Sequence, residues 1–223
     1  MIFKSIKKAF AWTTLLLLFL VLVIGGGYMA LRSPRVQTRL TQYVADFLSD
    51  ELQTVVSVQG VDIGFFNRLI IEDLYLQDLK GDTLGYLQNL HLGISSFDLD
   101  ENQIYFGRVR LDGLKLYVKK HEGDQKLNTQ FLIDYFKQEK KGDTPYWDIR
   151  SEEIELRNAS FQYQNNHKQE KESGVDYWHL DVQNINLLID NIRLEGDTIF
   201  GNMARMNFME HRGFFVKNLA GKV

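Results

Sequence analysis

The chain has 223 residues, 44% of them hydrophobic and 13% aromatic, enough to form an ordered core and too apolar for wholesale disorder. It has no Cys, which excludes disulfide scaffolds, Cys-ligated zinc, iron–sulfur clusters and thiol catalysis. A net charge of −3 argues against nucleic-acid binding, and it is unevenly spread: residues 1–40 carry six basic side chains and no acid, leaving −9 on the remainder.

Ala9 to Leu31 is free of charge, and Phe10, Leu15, Leu20, Ile24 and Ala30 mark its length. As a helix it would extend roughly 35 Å, enough to cross a hydrocarbon core. Lys4, Lys7 and Lys8 precede it, and no Ala-x-Ala cleavage site follows it. The expectation is a transmembrane signal anchor over residues 1–31, followed by a second region over 32–223. Basic residues flank both sides, so charge alone does not orient the segment.

Ser33-Pro34 is a helix start, with Ser as N-cap and Pro in the first turn. Val36, Leu40, Val44, Phe47, Leu48 and Leu52 then recur at helical spacing, which predicts an amphipathic helix over 34–52 capping a sheet. A helix lying on a membrane surface is the rival reading of that stripe.

Beyond Thr54 the period becomes two. Leu74 and Leu76, then Leu90, Leu92 and Ile94, Ile104 and Phe106, and Leu114, Leu116 and Val118 alternate with polar neighbours. The pattern resumes from Ile154 to Leu194. Such alternation predicts strands with one apolar and one polar face. The parity slips at Gly107 and Gly113 predict bulges or bends. Asn128 reads as the N-cap of a short helix bearing Phe131, Leu132, Tyr135 and Phe136. The stretches 137–144 and 165–174 read as a polar linker and a charged loop. Both prolines fall outside the strands, so eight or more antiparallel strands are permitted. Two short helices cannot cover so much sheet. It must close as a barrel, fold into a sandwich, or curl into an apolar trough.

No catalytic centre is visible. His91, His121, His167, His179 and His211 show no metal-ligand spacing, and the Gly-Asp-Thr repeats read as hairpin turns rather than calcium loops. No cofactor is expected.

The order of the parts carries a resemblance. After the apolar segment come Ser33-Pro34-Arg35-Val36-Gln37, Leu48-Ser49-Asp50-Glu51-Leu52 and Val56-Ser57-Val58-Gln59-Gly60-Val61-Asp62-Ile63. Leu69 to Asp78, Lys80-Gly81-Asp82-Thr83-Leu84, Leu127 to Asp134 and Trp147-Asp148-Ile149 follow. This sequence resembles the N-terminal part of TamB proteins of the AsmA-like superfamily. The resemblance implies a mainly β fold with minor α: a transmembrane helix, then a curled, largely antiparallel groove with two short amphipathic helices. It implies single-pass anchoring in an inner membrane with the bulk of the chain in the periplasm, and a non-enzymatic role in envelope biogenesis. Phospholipid is then the cargo, carried past Leu74, Leu76, Leu90, Leu92, Ile94, Ile104, Phe106, Leu114, Leu116 and Val118. The alternative role is a scaffold that binds an envelope assembly partner without transferring lipid. Such proteins are several times longer and meet a TamA-type outer-membrane barrel through a C-terminal domain that nothing here matches. The expectation is therefore the first part of a longer groove, whose last strand, rich in apolar residues and thinly protected by charge, pairs with something further.

Overall fold

The computed structural model describes residues 33–64, 67–98, 100–136, 148–195 and 198–222. The first element, α1 (Pro34–Leu52), starts and stops as its sequence dictates. Ser33 Oγ accepts from the Val36 amide, and Gln53 closes the helix in the left-handed region at φ 53°, its N–H bonded to Ser49 O. Then come β1 (Val56–Ser57), β2 (Gly60–Gly64), β3 (Arg68–Gln77), β4 (Thr83–Asp98), β5 (Gln103–Asp112) and β6 (Lys115–Lys120). After α2 (Gln130–Phe136) follow β7 (Asp148–Asn165), β8 (His179–Glu195), β9 (Thr198–Glu210) and β10 (Phe215–Lys222).

All ten strands belong to one sheet, ordered β1-β3-β4-β5-β7-β8-β9-β10, with β2 on β3 and β6 between β4 and β7. Register shows that β1 and β2 are one interrupted strand, since Ser57 faces Tyr75 and Gly60 faces Glu72. Likewise β5 and β6 are one strand broken at Gly113 and Leu114, with Asp112 opposite Asn89 and Lys115 opposite Tyr86. Neighbours pair antiparallel except β7, which runs parallel to β5 and β6. The excursion through α2 returns the chain to the start of β5, where a hairpin would have reversed it. The sheet is therefore largely, not wholly, antiparallel.

The expected fold class is corrected in one respect. Among the described residues no helix is long and apolar enough to cross a membrane. Although α1 has 19 residues, it carries Arg35, Arg39, Asp46, Asp50 and Glu51. What the structure supports is a mainly β sheet with two flanking helices. The stretch holding Phe10, Leu15, Leu20, Ile24 and Ala30 lies outside the described residues, as does the 137–144 linker.

Among the described residues neither a barrel nor a sandwich forms. β1 and β10 lie at opposite ends of the strand order, and the described residues hold no second sheet. The first edge is covered by α1: Ser49 Oγ accepts from the Val56 amide at 3.0 Å, and Gln37 Nε2 donates to Asp62 at 3.2 Å. The helix thus turns Gln37, Thr41 and Ser49 to the sheet. Of the stripe expected in that contact, Leu40, Val44, Leu48 and Leu52 are half-buried, whereas Val36 and Phe47 stand 38% and 50% exposed. Among the described residues few apolar side chains are buried: Val56, Val61, Leu84, Leu87, Val109, Ala159 and Ile185. This is a sheet with an apolar face but no thick core.

Candidate functional site: one apolar face across the sheet

Side chains paired across strands point the same way, so register lists what shares a face. One row reads Val61, Ile71, Leu90, Leu111, Leu156, Leu187, Met206, Leu219, apolar at every strand. The next reads Ile63, Leu69, Leu92, Val109, Ile154, Ile189, Met203. Towards the helices runs Val56, Leu76, Gly85, Leu116, Phe161, Val182. At the far end runs Phe97, Ile104, Ile149, Leu194, Ile199.

The spacing between these rows explains the fold. Ile71 to Leu76, Leu111 to Leu116, Leu156 to Phe161 and Leu187 to Val182 are each five apart. An odd step in a straight strand would send the second residue to the opposite face. Each strand therefore carries an interruption between them: Asp73 (φ 48°), Gly113 (φ 68°), Asn158 (φ 50°) and Asn184 (φ 53°). These left-handed residues form a seam across the sheet that restores parity. Asn158 N donates to Asn186 Oδ1 at 3.1 Å, and Asn186 Nδ2 donates to Asn207 Oδ1 at 3.1 Å, continuing the seam into β9. A Cβ on Gly113 would lie 2.9 Å from Gln88 Oε1, so the seam also needs the missing side chain there. A second seam separates the far row, again by steps of five: Leu92 to Phe97, Val109 to Ile104, Ile154 to Ile149, Ile189 to Leu194. It passes through Gly107, where the β4–β5 register shifts, and Asn191 (φ 54°). Bulges of this kind bend and twist strands.

Two seams therefore keep one face apolar along strands of 16, 18 and 17 residues in β4, β7 and β8. Nine of the ten residues singled out from the sequence occupy paired positions on it. Leu76, Leu90, Leu92, Ile94, Ile104, Phe106, Leu116 and Val118 sit in paired rows, Leu74 faces Leu87, and Leu114 stands at the β5–β6 break two residues before Leu116. None is buried: nine are half-buried and Leu116 is exposed at 37%. A closed core would bury them. This face is walled but open.

The reverse face is polar and internally paired. Arg108 meets Glu153, and Arg110 meets Asp112 at 3.1 Å. Arg157 meets Glu155 at 2.7 Å, and Arg150 meets Asp148 at 2.6 Å. The bond from Arg157 outweighs partial burial and lowers the Glu155 carboxyl; Arg150 lowers Asp148 in the same way. Exposed pairs of this kind contribute little stability, roughly 0–1 kcal/mol each, but they keep this face wet.

At the helix-bearing end the chain reversals are fastened from within. Asp78 Oδ1 accepts from the Lys80 and Asp82 amides at 2.9 and 3.0 Å. Its Oδ2 meets His121 Nε2 at 3.2 Å and accepts from Asn128 Nδ2 at 3.1 Å. Burial pushes this carboxyl up, but the bonds from Asn128, His121 and the two amides together outweigh it and hold the group below its ordinary value. Asn128 is not the helix cap expected from sequence. It acts as a substitute strand where β4 has stopped: Oδ1 accepts from Lys119 N, Nδ2 donates to Tyr117 O, and its own N–H donates to Lys119 O. Asp176, fully buried, fastens the 165–178 loop by accepting from the Lys171 and Trp178 amides and meeting His179 Nδ1 at 2.9 Å. The Lys171 amide, ahead of burial and His179, sets the balance that depresses its carboxyl far below the usual range.

The fold also assembles a cluster that spacing did not reveal, with ligand atoms of Asp78, Asp82 and His121 within 4.8 Å of one another. Those atoms are engaged: Asp78 Oδ2 by His121 and Asn128, Asp82 Oδ2 by the Lys119 ammonium at 2.9 Å. The cluster fastens a turn. A cavity of about 430 Å³ lies beside it, walled by Leu79, Lys80, Asp124, Leu127, Gln130 and Phe131 among others.

No protein-family model matches this chain, and no curated protein matches it at a significant level.

Proposed function

We propose that this chain conducts lipid along the apolar face of its sheet, as one segment of a TamB-type groove working in a cell envelope. The observation that carries the reading is the pair of seams. A sheet whose apolar side chains merely filled a core would need only local packing. Here β3, the interrupted β5–β6 strand, β7 and β8 each spend a left-handed residue to keep the apolar set on a single face, and among the described residues that face has no second layer. Half-buried Leu92 and exposed Leu116 form a wall against which acyl chains lie without a polar partner, while the paired charges of the reverse face stay in water. Phospholipid is the cargo this chemistry fits, since the rows offer length and apolarity but no directional bonds.

The test uses photoreactive residues at Leu92 and Leu116 with a matched pair on the polar face at Arg110 and Lys115. Crosslinks to copurified phospholipid at the first pair and not the second support the reading. Leu92→Arg should abolish lipid retention while the protein still melts cooperatively, because a groove wall admits a solvated cation. Unfolding of Leu92→Arg, together with no lipid at either leucine, would assign the face to an interior instead.

A further inference from the structure

An apolar stripe runs along the outer side of α1, bordering the side that meets the sheet. Val36, Leu40, Tyr43 and Phe47 follow steps of four, three and four, the spacing of a heptad seam. Val36, Tyr43 and Phe47 are 38%, 67% and 50% exposed, and Leu40, at the border with the sheet side, is half-buried. Tyr43 and Phe47 are ordered against each other, with ring centroids 6.4 Å apart and planes within 16°. Sheet contacts come from the neighbouring side of the helix, through Gln37 and Ser49. The residues just before the two seam positions Leu40 and Phe47 are Arg39 and Asp46. Both are exposed, and neither forms an ion pair among the described residues.

We infer that this stripe is a self-association surface on which α1 pairs antiparallel with α1 of a second copy. In that arrangement Leu40 packs on the second copy's Tyr43 and Val36 on its Phe47. The flanking positions then oppose Arg39 of each chain to Asp46 of the other, twice by symmetry. A parallel pair would instead set Arg39 against Val44 and leave both charges unmatched. The self-complementary charge also decides against a membrane surface as the occupant. Arg35 and Arg39 share the border of the stripe with Asp46 and Asp50, whereas interfacial helices line that border with Lys and Arg alone. A seam of four side chains per helix is small, below the roughly 1,200 Å² of a standard interface, so the dimer is weak and concentration-dependent.

The chain has no Cys, so an introduced thiol is unique. Val36→Cys and Phe47→Cys, each at an exposed position of the full-length chain, are oxidised separately and as a mixture. The mixture should give a mixed disulfide. Each alone should stay monomeric, because like positions are displaced by roughly 16 Å along the axis, beyond disulfide reach. Arg39→Asp should weaken association in sedimentation roughly ten-fold by opposing two acids twice, and adding Asp46→Arg should restore it. A monomer at every concentration, a self-disulfide from Phe47→Cys alone, or failure of the double variant to restore association would overturn the inference. So would thiols at 36 and 47 that become shielded from a water-soluble maleimide only when phosphatidylcholine vesicles are added.

Discussion

At the end of the sheet that carries the helices, three chain reversals are held from inside by carboxylates that water barely reaches. Asp78 holds the β3–β4 turn, Asp176 the β7–β8 loop, and Glu210, through the Arg212 amide at 2.8 Å, the β9–β10 turn. At the opposite end the β4–β5 reversal relies on Asp98, which accepts from the Asp100 and Glu101 amides in the open. There Phe97, Ile199 and Phe200 stand 55%, 59% and 47% exposed. One end is a fastened base. The other leaves the last apolar row of the face accessible. A sheet without a thick core needs such a base, because the packing that normally fixes turns is missing, and buried hydrogen-bonded carboxylates substitute for it.

The largest expected difference between the ends is in stability. Asp78→Ala leaves the Lys80 and Asp82 amides and the Asn128 side chain without their shared acceptor, and should cost about 3 kcal/mol in urea denaturation. Asp98→Ala removes two exposed bonds and should cost under about 1 kcal/mol. Equal losses would mean that the base is not what holds the sheet.

Acid should act on the same end. Asp78 and Asp176 both have folded-state values below those of the unfolded chain. Their contribution is therefore complete above the unfolded value of about 4 and is lost as pH falls below it towards the folded values. Denaturation midpoints should drop between pH 5 and about pH 3, with amides of residues 78–82 and 166–178 losing protection first. Asp78→Asn should flatten that drop in part. A midpoint insensitive to pH in this window would contradict the assigned bonds.

The seams predict smaller, matched effects. Asn158 and Asn191 occupy left-handed backbone, one on each seam. Alanine at either should cost about 1 kcal/mol, and glycine should be tolerated within about 0.5 kcal/mol. Hydrogen exchange should then separate the ends, with Asn191→Ala loosening residues near Leu194 and Ile199 and leaving the Asp176 loop protected.

These seams also mark where sequence reading succeeds and stops. The slips at Gly107 and Gly113 were legible because a glycine breaking an alternating run announces itself. Asp73, Asn158, Asn184 and Asn191 do the same work silently, since Asx residues tolerate positive φ yet are ordinary on a polar face. The apolar rows were legible from period two, and α1 from its cap and spacing. The exact rotation of α1 was not: Leu40, Val44, Leu48 and Leu52 are half-buried but Val36 and Phe47 turn outward, because the contact is also set by hydrogen bonds from Gln37 and Ser49, two polar residues that hydrophobic periodicity ignores. The parallel placement of β7 was hidden for a similar reason. A crossover and a long loop look alike in sequence, and only the register of Gln103 with Asp148 distinguishes them. Asp78 and Asp176 read as loop acids until the fold closes over them.

The smallest expected effect on stability falls on the residues that bear most directly on the proposed lipid path. Phe97→Ser and Ile199→Ser change side chains that are already more than half exposed, so unfolding midpoints should move by less than about 0.5 kcal/mol. If acyl chains reach the face over its open end, both changes should slow lipid uptake from vesicles several-fold, because they interrupt the apolar path where it first meets a chain. Val182→Ser, in a row on the side of the fastened base, should leave that initial rate unchanged while lowering the amount of lipid held at saturation. The reverse pattern, with Val182→Ser slowing uptake and the open-end variants silent, would mean that lipid arrives over the base and that the buried carboxylates there guard an opening.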